Sequence, residues 1–273
     1  MVGAVDTFNE AKTAEAFSRQ SVVFDAIYAD NTIVAYKRTR VRQHVLKYIK
    51  PGADILELNS GTGDDAIFFA RQGFKVHATD IAEGMQNKLQ QKVKDSGLDL
   101  LITNELCSFT QLQNLNNSGP YDQIFSNFAG LNCTGNLNQV LDQFANLLKP
   151  DGIVTLVVLP PFCLWEFMLV FRGKFRTALR RLFSSNGRKA HLEGTYFTCW
   201  YYPPSYIINH LKSSFKPLSV EGLCTIVPPS YIEGFAGKYP ATYRFLRKWE
   251  ESLKHTWPFK HIGDYYIISL QKR

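Results

Sequence analysis

The chain has 273 residues, with 31 Lys and Arg against 24 Asp and Glu, and 45% of it is apolar. That balance excludes a disordered, collagenous or small disulfide-stapled protein, and at this length one large α/β domain with insertions buries enough surface to stand without cross-links. Cys107, Cys133, Cys163, Cys199 and Cys224 lie at least 25 residues apart, which excludes a zinc knuckle or redox dithiol and reads as reduced thiols.

In chain order, a short helix is expected over 8–18. Near-helical apolar spacing from Ile33 to Ile49 predicts a second over 32–49, stopped by Lys50-Pro51-Gly52. The centre alternates strands at 53–58, 74–79, 99–104, 122–126 and 152–159 with helices at 64–72, 83–95 and 134–148, the pattern of a parallel sheet with right-handed crossovers. Beyond Pro161 come a basic, apolar-rich segment to about 195, a strand at 196–202, a helix at 204–214, a strand at 217–226, a helix-rich stretch at 230–254 and a last strand at 264–271. The first 17 residues carry acids and no apolar core, unlike a signal or transit peptide, so the cytoplasm is expected. The run 153–171 has one charge, Glu166, but Pro160 and Pro161 divide it into a strand-like and a helix-like half, against a membrane span.

Charge and aromatic rings are unevenly placed. Arg172, Lys174, Arg176, Arg180, Arg181, Arg188 and Lys189 fall in 18 residues without an acid, and elsewhere bases equal acids, so the net charge of +7 resides in that stretch. Phe175, Ala178, Leu179, Leu182 and Phe183 follow helical spacing there, which predicts an amphipathic basic helix. Three readings are open: an active-site lid, a helix on an anionic membrane surface, or a nucleic-acid patch, the last disfavoured because no companion module accompanies it. All four Trp and most other aromatic residues lie beyond Pro161, which suits a core or a pocket for a flat, greasy ligand.

The most informative run is the apolar strand Asp54-Ile-Leu-Glu57-Leu that delivers Asn59-Ser60-Gly61-Thr62-Gly63 into a helix. Gly61 and Gly63 allow close approach of a ligand to backbone, although any tight turn also uses glycine. Seventeen residues beyond Gly63, Asp80 ends the neighbouring strand, where a carboxylate can accept both hydroxyls of a ribose. Glu57 would repel a pyrophosphate but can hold a cationic amino group. The expected ligand is a nucleoside carrying an ammonium or sulfonium.

These residues resemble the class I S-adenosylmethionine-dependent methyltransferases, whose motif is acid-x-Gly-x-Gly-x-Gly; Asn59 replaces the first glycine and, as Asn, tolerates a left-handed backbone. The resemblance continues through Asp80-Ile81, Gly84-Met85, Asn127-Phe128 and Leu147-Leu-Lys-Pro-Asp-Gly152, and is nearest the small-molecule, ubiquinone-methylase-like branch. It implies a seven-stranded, mostly parallel, doubly wound Rossmann-like sheet with an antiparallel last strand, N-terminal helices over the cofactor (1–50), a domain at 51–273, a lid inserted after the fifth strand (160–195) and a helical insertion at 228–260. It implies S-adenosylmethionine as cofactor, held by Glu57, Asn59, Ser60, Gly61, Thr62, Gly63, Asp80, Ile81, Met85, Asn127 and Phe128. Cys107 and Ser108 stand where the family often places an acid for the adenine amine; a turn capped by Ser108 explains them equally.

Asn127-Phe128-Ala129-Gly130 lacks the Pro-Pro-aromatic run of base N-methylases, and Cys133 lacks the preceding Pro of the covalent cytosine enzymes. The strand ends Ser126, Asn127, Leu159 and Pro160 offer no carboxylate, so no metal is expected. The remaining chemistry is in-line transfer to an O, N or C nucleophile; the expected acceptor is an aromatic or lipophilic small molecule methylated on oxygen, with His191, Glu166 and Tyr202 as candidate bases and Tyr28, Tyr36, Asn132, Trp165 and Trp200 as acceptor-lining candidates. The alternatives are an RNA or protein methyltransferase using the basic helix, and a cofactor-fold binding protein without turnover. The partners expected are a small-molecule substrate and, at the inner membrane face, anionic lipid against residues 163–189.

Overall fold

The computed structural model describes residues 2–182, 184–232 and 234–273, and the side chains from Thr7 onward. Phe183, one of the expected apolar positions of the basic helix, lies outside the described residues. The elements in order are α1 (Val2–Gln20), α2 (Phe24–Ala29), α3 (Thr32–Leu46), β1 (Asp54–Leu58), α4 (Asp64–Arg71), β2 (Lys75–Asp80), α5 (Glu83–Asp95), β3 (Ile102–Leu106), β4 (Tyr121–Ser126), α6 (Leu137–Leu147) and β5 (Leu148–Val158). There follow α7 (Leu164–Phe167), α8 (Phe175–Ala178), β6 (Arg188–Leu192), β7 (Thr195–Cys199), α9 (Pro204–Leu211), β8 (Phe215–Leu223), α10 (Phe235–Lys238), α11 (Pro240–Leu253) and β9 (Tyr265–Lys272).

Seven strands form one sheet in the order β3-β2-β1-β4-β5-β9-β8. Neighbours from β3 to β5 pair in parallel, and β9 runs antiparallel between β5 and β8. This is the mostly parallel, Rossmann-like sheet that the βα alternation and the resemblance call for. Alternate residues send apolar side chains to opposite faces. Leu56, Leu58, Ile124, Leu156 and Ile268 pack with Phe144 of α6 and Ile207 of α9. Ile55, Val76, Phe125, Val157 and Ile267 pack with Val41 of α3, Phe69 of α4 and Leu89 of α5. The chain reverses its winding between β1 and β4, so the carboxyl ends of those strands open a crevice, the place where such sheets bind ligands.

Several boundaries depart from expectation for identifiable reasons. Helix α1 begins well before residue 8, and its packed face is partly polar, so apolar periodicity underreports it. Asn9 donates to the Cys133 carbonyl at 2.7 Å and accepts from the Thr198 amide at 2.6 Å, tying α1 to the β7 ribbon. Strand β7 joins β6 in a separate two-stranded ribbon rather than the main sheet.

The long basic helix is a correction. Of the described residues from Lys174 to Leu182, only the four of α8 are helical, bounded on one side by Gly173 with φ near 70°. Adjacent helical residues point about 100° apart, yet Arg180 and Arg181 both grip Glu166, at 2.6 Å each, and Arg181 also bonds Asp264 at 3.0 Å. The ion-pair cluster overrides helical periodicity. Among the described residues no helix is long and apolar enough to cross a membrane.

Candidate cofactor and acceptor site

A cavity of about 360 Å³ opens at the carboxyl ends of β1, β2 and β4. Its floor is the glycine turn. Asn59, Gly61 and Gly63 all have positive φ, at 48°, 57° and 81°. A Cβ on Gly63 would lie 2.0 Å from Leu89 of α5, so glycine is required there by both backbone and packing. The Gly61 amide donates to one Asp80 oxygen at 2.9 Å and the Ala82 amide to the other at 2.8 Å. These bonds fix the Asp80 carboxylate at the tip of β2 and leave each oxygen a further lone pair.

Asn59 explains its own departure from the glycine motif. Its side-chain amide donates to the Asn127 carbonyl at 2.8 Å and its oxygen accepts from Ser126 at 2.6 Å, so it fastens the loop after β1 to the end of β4. Gly130 leaves the room: a Cβ there would sit 2.2 Å from the Asn59 Cγ. Between them Phe128 and Ala129 also adopt left-handed backbone, at φ 48° and 62°. Non-glycine residues held that way concentrate strain at ligand-facing loops.

Glu57 is 2% exposed, pairs in register with Ala78 and Phe125, and lines the cavity. Its Oε2 has no hydrogen-bond partner. Burial, reinforced by the Asp65 carboxylate, pushes its carboxyl well above the usual range. The neighbouring acids are committed: Asp65 to Arg42 at 2.6 Å and Asn127 at 2.7 Å, and Asp64 to Arg38 and Lys92. Glu57 alone is an unmatched buried acid, and a cationic ligand group against it would restore its charge.

Residues 55–152 match the family described as a methyltransferase domain. That match covers about a third of the chain, the part that holds the glycine turn and the Asp80 strand tip. YqeM of Bacillus subtilis (strain 168), which bears a methyltransferase name, is 32% identical over 103 residues, 37% of this chain and 40% of that protein. The chain therefore matches well under half the length of that curated relative. Magnesium protoporphyrin IX methyltransferase (ChlM) of Synechocystis PCC 6803, solved with bound S-adenosylhomocysteine, superposes with a TM-score of 0.59 at 16% identity, covering 97% of this chain and all of that one. The 1,6-didemethyltoxoflavin-N1-methyltransferase of Burkholderia thailandensis, solved with its substrate and S-adenosylhomocysteine, gives 0.57 at 15% identity over 96% and 88% of the two chains. At those identities the likeness establishes the fold.

Within the matched residues the structure brings together Glu57, Asn59, Ser60, Gly61, Thr62, Asp80, Ile81, Met85, Asn127 and Phe128, all on the cavity wall, while Gly63 is in the same turn but off the wall. Ser108 and Cys107 stay outside it. The Ser108 hydroxyl accepts from the Thr110 amide and caps the turn after β3, while Phe109, which sequence reasoning passed over, faces the cavity.

Among the candidate bases only His191 reaches the cavity, carried by β6 and stacked on Tyr196 with centroids 4.5 Å apart. Glu166 is 2% exposed and held below the usual carboxylate range by Arg180 and Arg181, so it is an ion-pair anchor, not a base. Tyr202 is buried in the core and donates to the Thr134 carbonyl at 2.5 Å. Cys163, Glu166 and Asp264 bring three potential metal ligands together, but Arg181 already bonds both carboxylates.

Of the acceptor-lining candidates, Tyr28 lines the cavity, and four others do not. Tyr36 packs on Tyr243 and Arg40. Asn132 is fully buried and bonds Leu159 and Trp200 backbone. Trp200 lies against Gly135 and Gly187, and Trp165 is off the wall. Missed instead were Lys37, Arg38, Ser230 and Tyr265, which carry no motif. Among the described residues the insertion 160–195 contributes only His191 and Leu192 to the cavity wall, so none of its basic residues lines the cavity.

Proposed function

We propose that the protein is a metal-independent, S-adenosylmethionine-dependent methyltransferase acting on an aromatic or lipophilic small molecule, on oxygen. The observation that carries it is the buried, unpartnered Glu57 carboxyl beside the Gly61–Gly63 turn and the Asp80 strand tip. Glu57 would hold the ammonium of the cofactor, Asp80 its ribose hydroxyls, and Ile81, Met85 and Phe109 the flat adenine. Bound there, the cofactor supplies an electrophilic methyl on a sulfonium. Phe17, Phe24 and Tyr28, from α1 and α2, cover the cavity and exclude water, which strengthens every charge interaction inside it. His191, on the same cavity wall, would relay the proton of an acceptor hydroxyl to solvent.

Calorimetry with S-adenosylhomocysteine tests the reading. Binding is expected, with NAD and NADP much weaker because Glu57 opposes a pyrophosphate. Tighter binding of NAD would overturn it.

A specific observation favours a peripheral membrane contact as well. Met168, Phe171 and Phe175 are 50%, 79% and 58% exposed, and Arg172, Lys174 and Arg176 among them are exposed and pair with no acid in the described residues. Apolar tips among unpaired cations suit an anionic bilayer surface. A cytoplasmic enzyme docked this way would meet lipophilic acceptors where they dissolve.

A further inference from the structure

The side chain of Lys37, on α3, is 3% exposed and lines the same cavity as Glu57. Burial of an ammonium is costly unless its charge and its N–H groups are matched. Here one N–H finds a neutral acceptor, the Ser230 hydroxyl at 2.9 Å. The nearest carboxylate oxygen, Oδ2 of Asp264, is 3.8 Å away, beyond hydrogen-bond length, and the other oxygen of that group accepts from Arg181. The Tyr265 and Phe128 rings lie 4.7 and 5.5 Å from the Lys37 nitrogen and add only cation–π attraction. Arg38, on the same helix, is committed to Asp64. Lys37 is thus a buried, incompletely matched cation on the cavity wall, as Glu57 is an unmatched acid.

We propose that Lys37, with Ser230 and the Tyr265 and Phe128 rings, forms a subsite for an acidic oxygen of the acceptor, so that the acceptor is a phenol, enol or carboxylic acid bound as its anion. The inference rests on the methyltransferase reading and narrows its substrate class. The acceptor O–H proton leaves to solvent as the anion settles on Lys37. A lone pair of that oxygen then forms the O–CH3 bond while the S–CH3 bond breaks and its electron pair stays on sulfur. Anion and sulfonium become a neutral ether or ester and a neutral thioether. Lys37 acts by charge alone, holding the acceptor in its ionised, nucleophilic form.

The test uses full-length protein saturated with S-adenosylhomocysteine and titrated with 4-nitrophenol, at a pH where the free phenol is mostly protonated, reading the visible phenolate band. A cation within about 4–6 Å favours the ionised acid by roughly tenfold or more, so the bound wild-type probe should show that enrichment in phenolate. Lys37→Met should abolish it and Lys37→Arg should keep part of it. Near-unchanged S-adenosylhomocysteine affinity in each variant certifies the fold. A wild-type probe bound as neutral phenol, no probe binding, or equal phenolate in Lys37→Met overturns the subsite while leaving cofactor binding standing. Failure of wild type to bind S-adenosylhomocysteine would instead overturn the methyltransferase reading.

Discussion

Glu57, Gly61, Gly63 and Asp80 sit within 24 residues of one another, whereas the proposed acceptor side of the cavity draws Tyr28, Lys37, His191, Ser230 and Tyr265 from five segments spread over most of the chain. The first group is placed by parallel register: Glu57 beside Ala78 brings the end of β1 against the end of β2, and two backbone amides then orient Asp80. The second is placed by packing and by one ion-pair cluster, in which Glu166, Arg180, Arg181 and Asp264 pin the insertion after β5 to the start of β9. Local backbone geometry can fix a cofactor turn almost alone. An acceptor wall assembled from distant pieces depends on long-range contacts that are free to differ between related chains.

The comparison breaks most visibly if the cluster is cut. Glu166→Ala leaves Arg181 buried with its main partner gone and should cost about 3–5 kcal/mol in urea denaturation. Arg180→Ala, whose side chain is 47% exposed, should cost under about 1 kcal/mol. The Glu166 carboxyl is held below its unfolded value. Its stabilisation is therefore fully present above the unfolded pKa of about 4.3 and is lost as pH falls through the folded value. Wild type should lose stability in that acid range more steeply than Glu166→Gln, and equal slopes would remove the cluster from the account.

The cofactor side should respond in ligand affinity. Asp80→Ala removes two charge-assisted hydrogen bonds to a ribose and should weaken S-adenosylhomocysteine binding by roughly 2–4 kcal/mol in calorimetry. Unchanged affinity in a folded variant would sink the assignment of the turn.

Glu57 reverses the usual sign. Its folded pKa is raised, so the native state holds more protons than the unfolded one, and stability falls as pH climbs from the unfolded value of about 4.3 toward the folded one. Glu57→Leu should raise the stability of the ligand-free protein near neutral pH by about 1–3 kcal/mol, the desolvation penalty of an unsatisfied polar group, while destroying cofactor binding. A variant destabilised at pH 7 would show that Glu57 supports the fold and is not a strained ligand site.

How far each half could be read from sequence follows from the same contrast. The parallel sheet rests on βα alternation, while the antiparallel last strand and the cavity floor rest on the resemblance carried by Glu57, Gly61, Gly63 and Asp80. Helix α1 was legible only over 8–18, and buried Asn9 and Thr13 weaken its apolar period there. Trp200 and Tyr202 looked like pocket residues on composition alone, yet nothing in a sequence states which side of a strand end meets core. Lys37 carries no motif and sits on an ordinary helix; its burial depends on Ser230 and Tyr265, about 190 and 230 residues away. The basic run was misread as a helix because spacing does not disclose that Arg180 and Arg181 share one carboxylate.

That misreading changes which residues should matter for membrane contact, the prediction with the smallest expected effect on the fold. Arg181 is 3% exposed and belongs to the buried cluster, so reversing it would test stability rather than lipid binding. Arg172, Lys174 and Arg176 are exposed beside Phe171 and Phe175 and have no acidic partner among the described residues. Each base near an anionic surface adds about 1 kcal/mol, screened over a Debye length of roughly 10 Å at 0.1 M salt. Wild type should therefore sediment with phosphatidylserine-containing vesicles at low salt and be released at high salt. Reversing the three bases to Glu should abolish sedimentation, and stability should change by no more than about 0.5 kcal/mol per site, as at ordinary surface positions. Phe171→Ser with Phe175→Ser should weaken binding at every salt concentration, because the apolar term is not screened. If wild type ignores such vesicles at low salt, or binds duplex DNA in preference to them, the exposed rings and bases serve another purpose and the membrane contact falls, while the cavity and its cofactor turn stand.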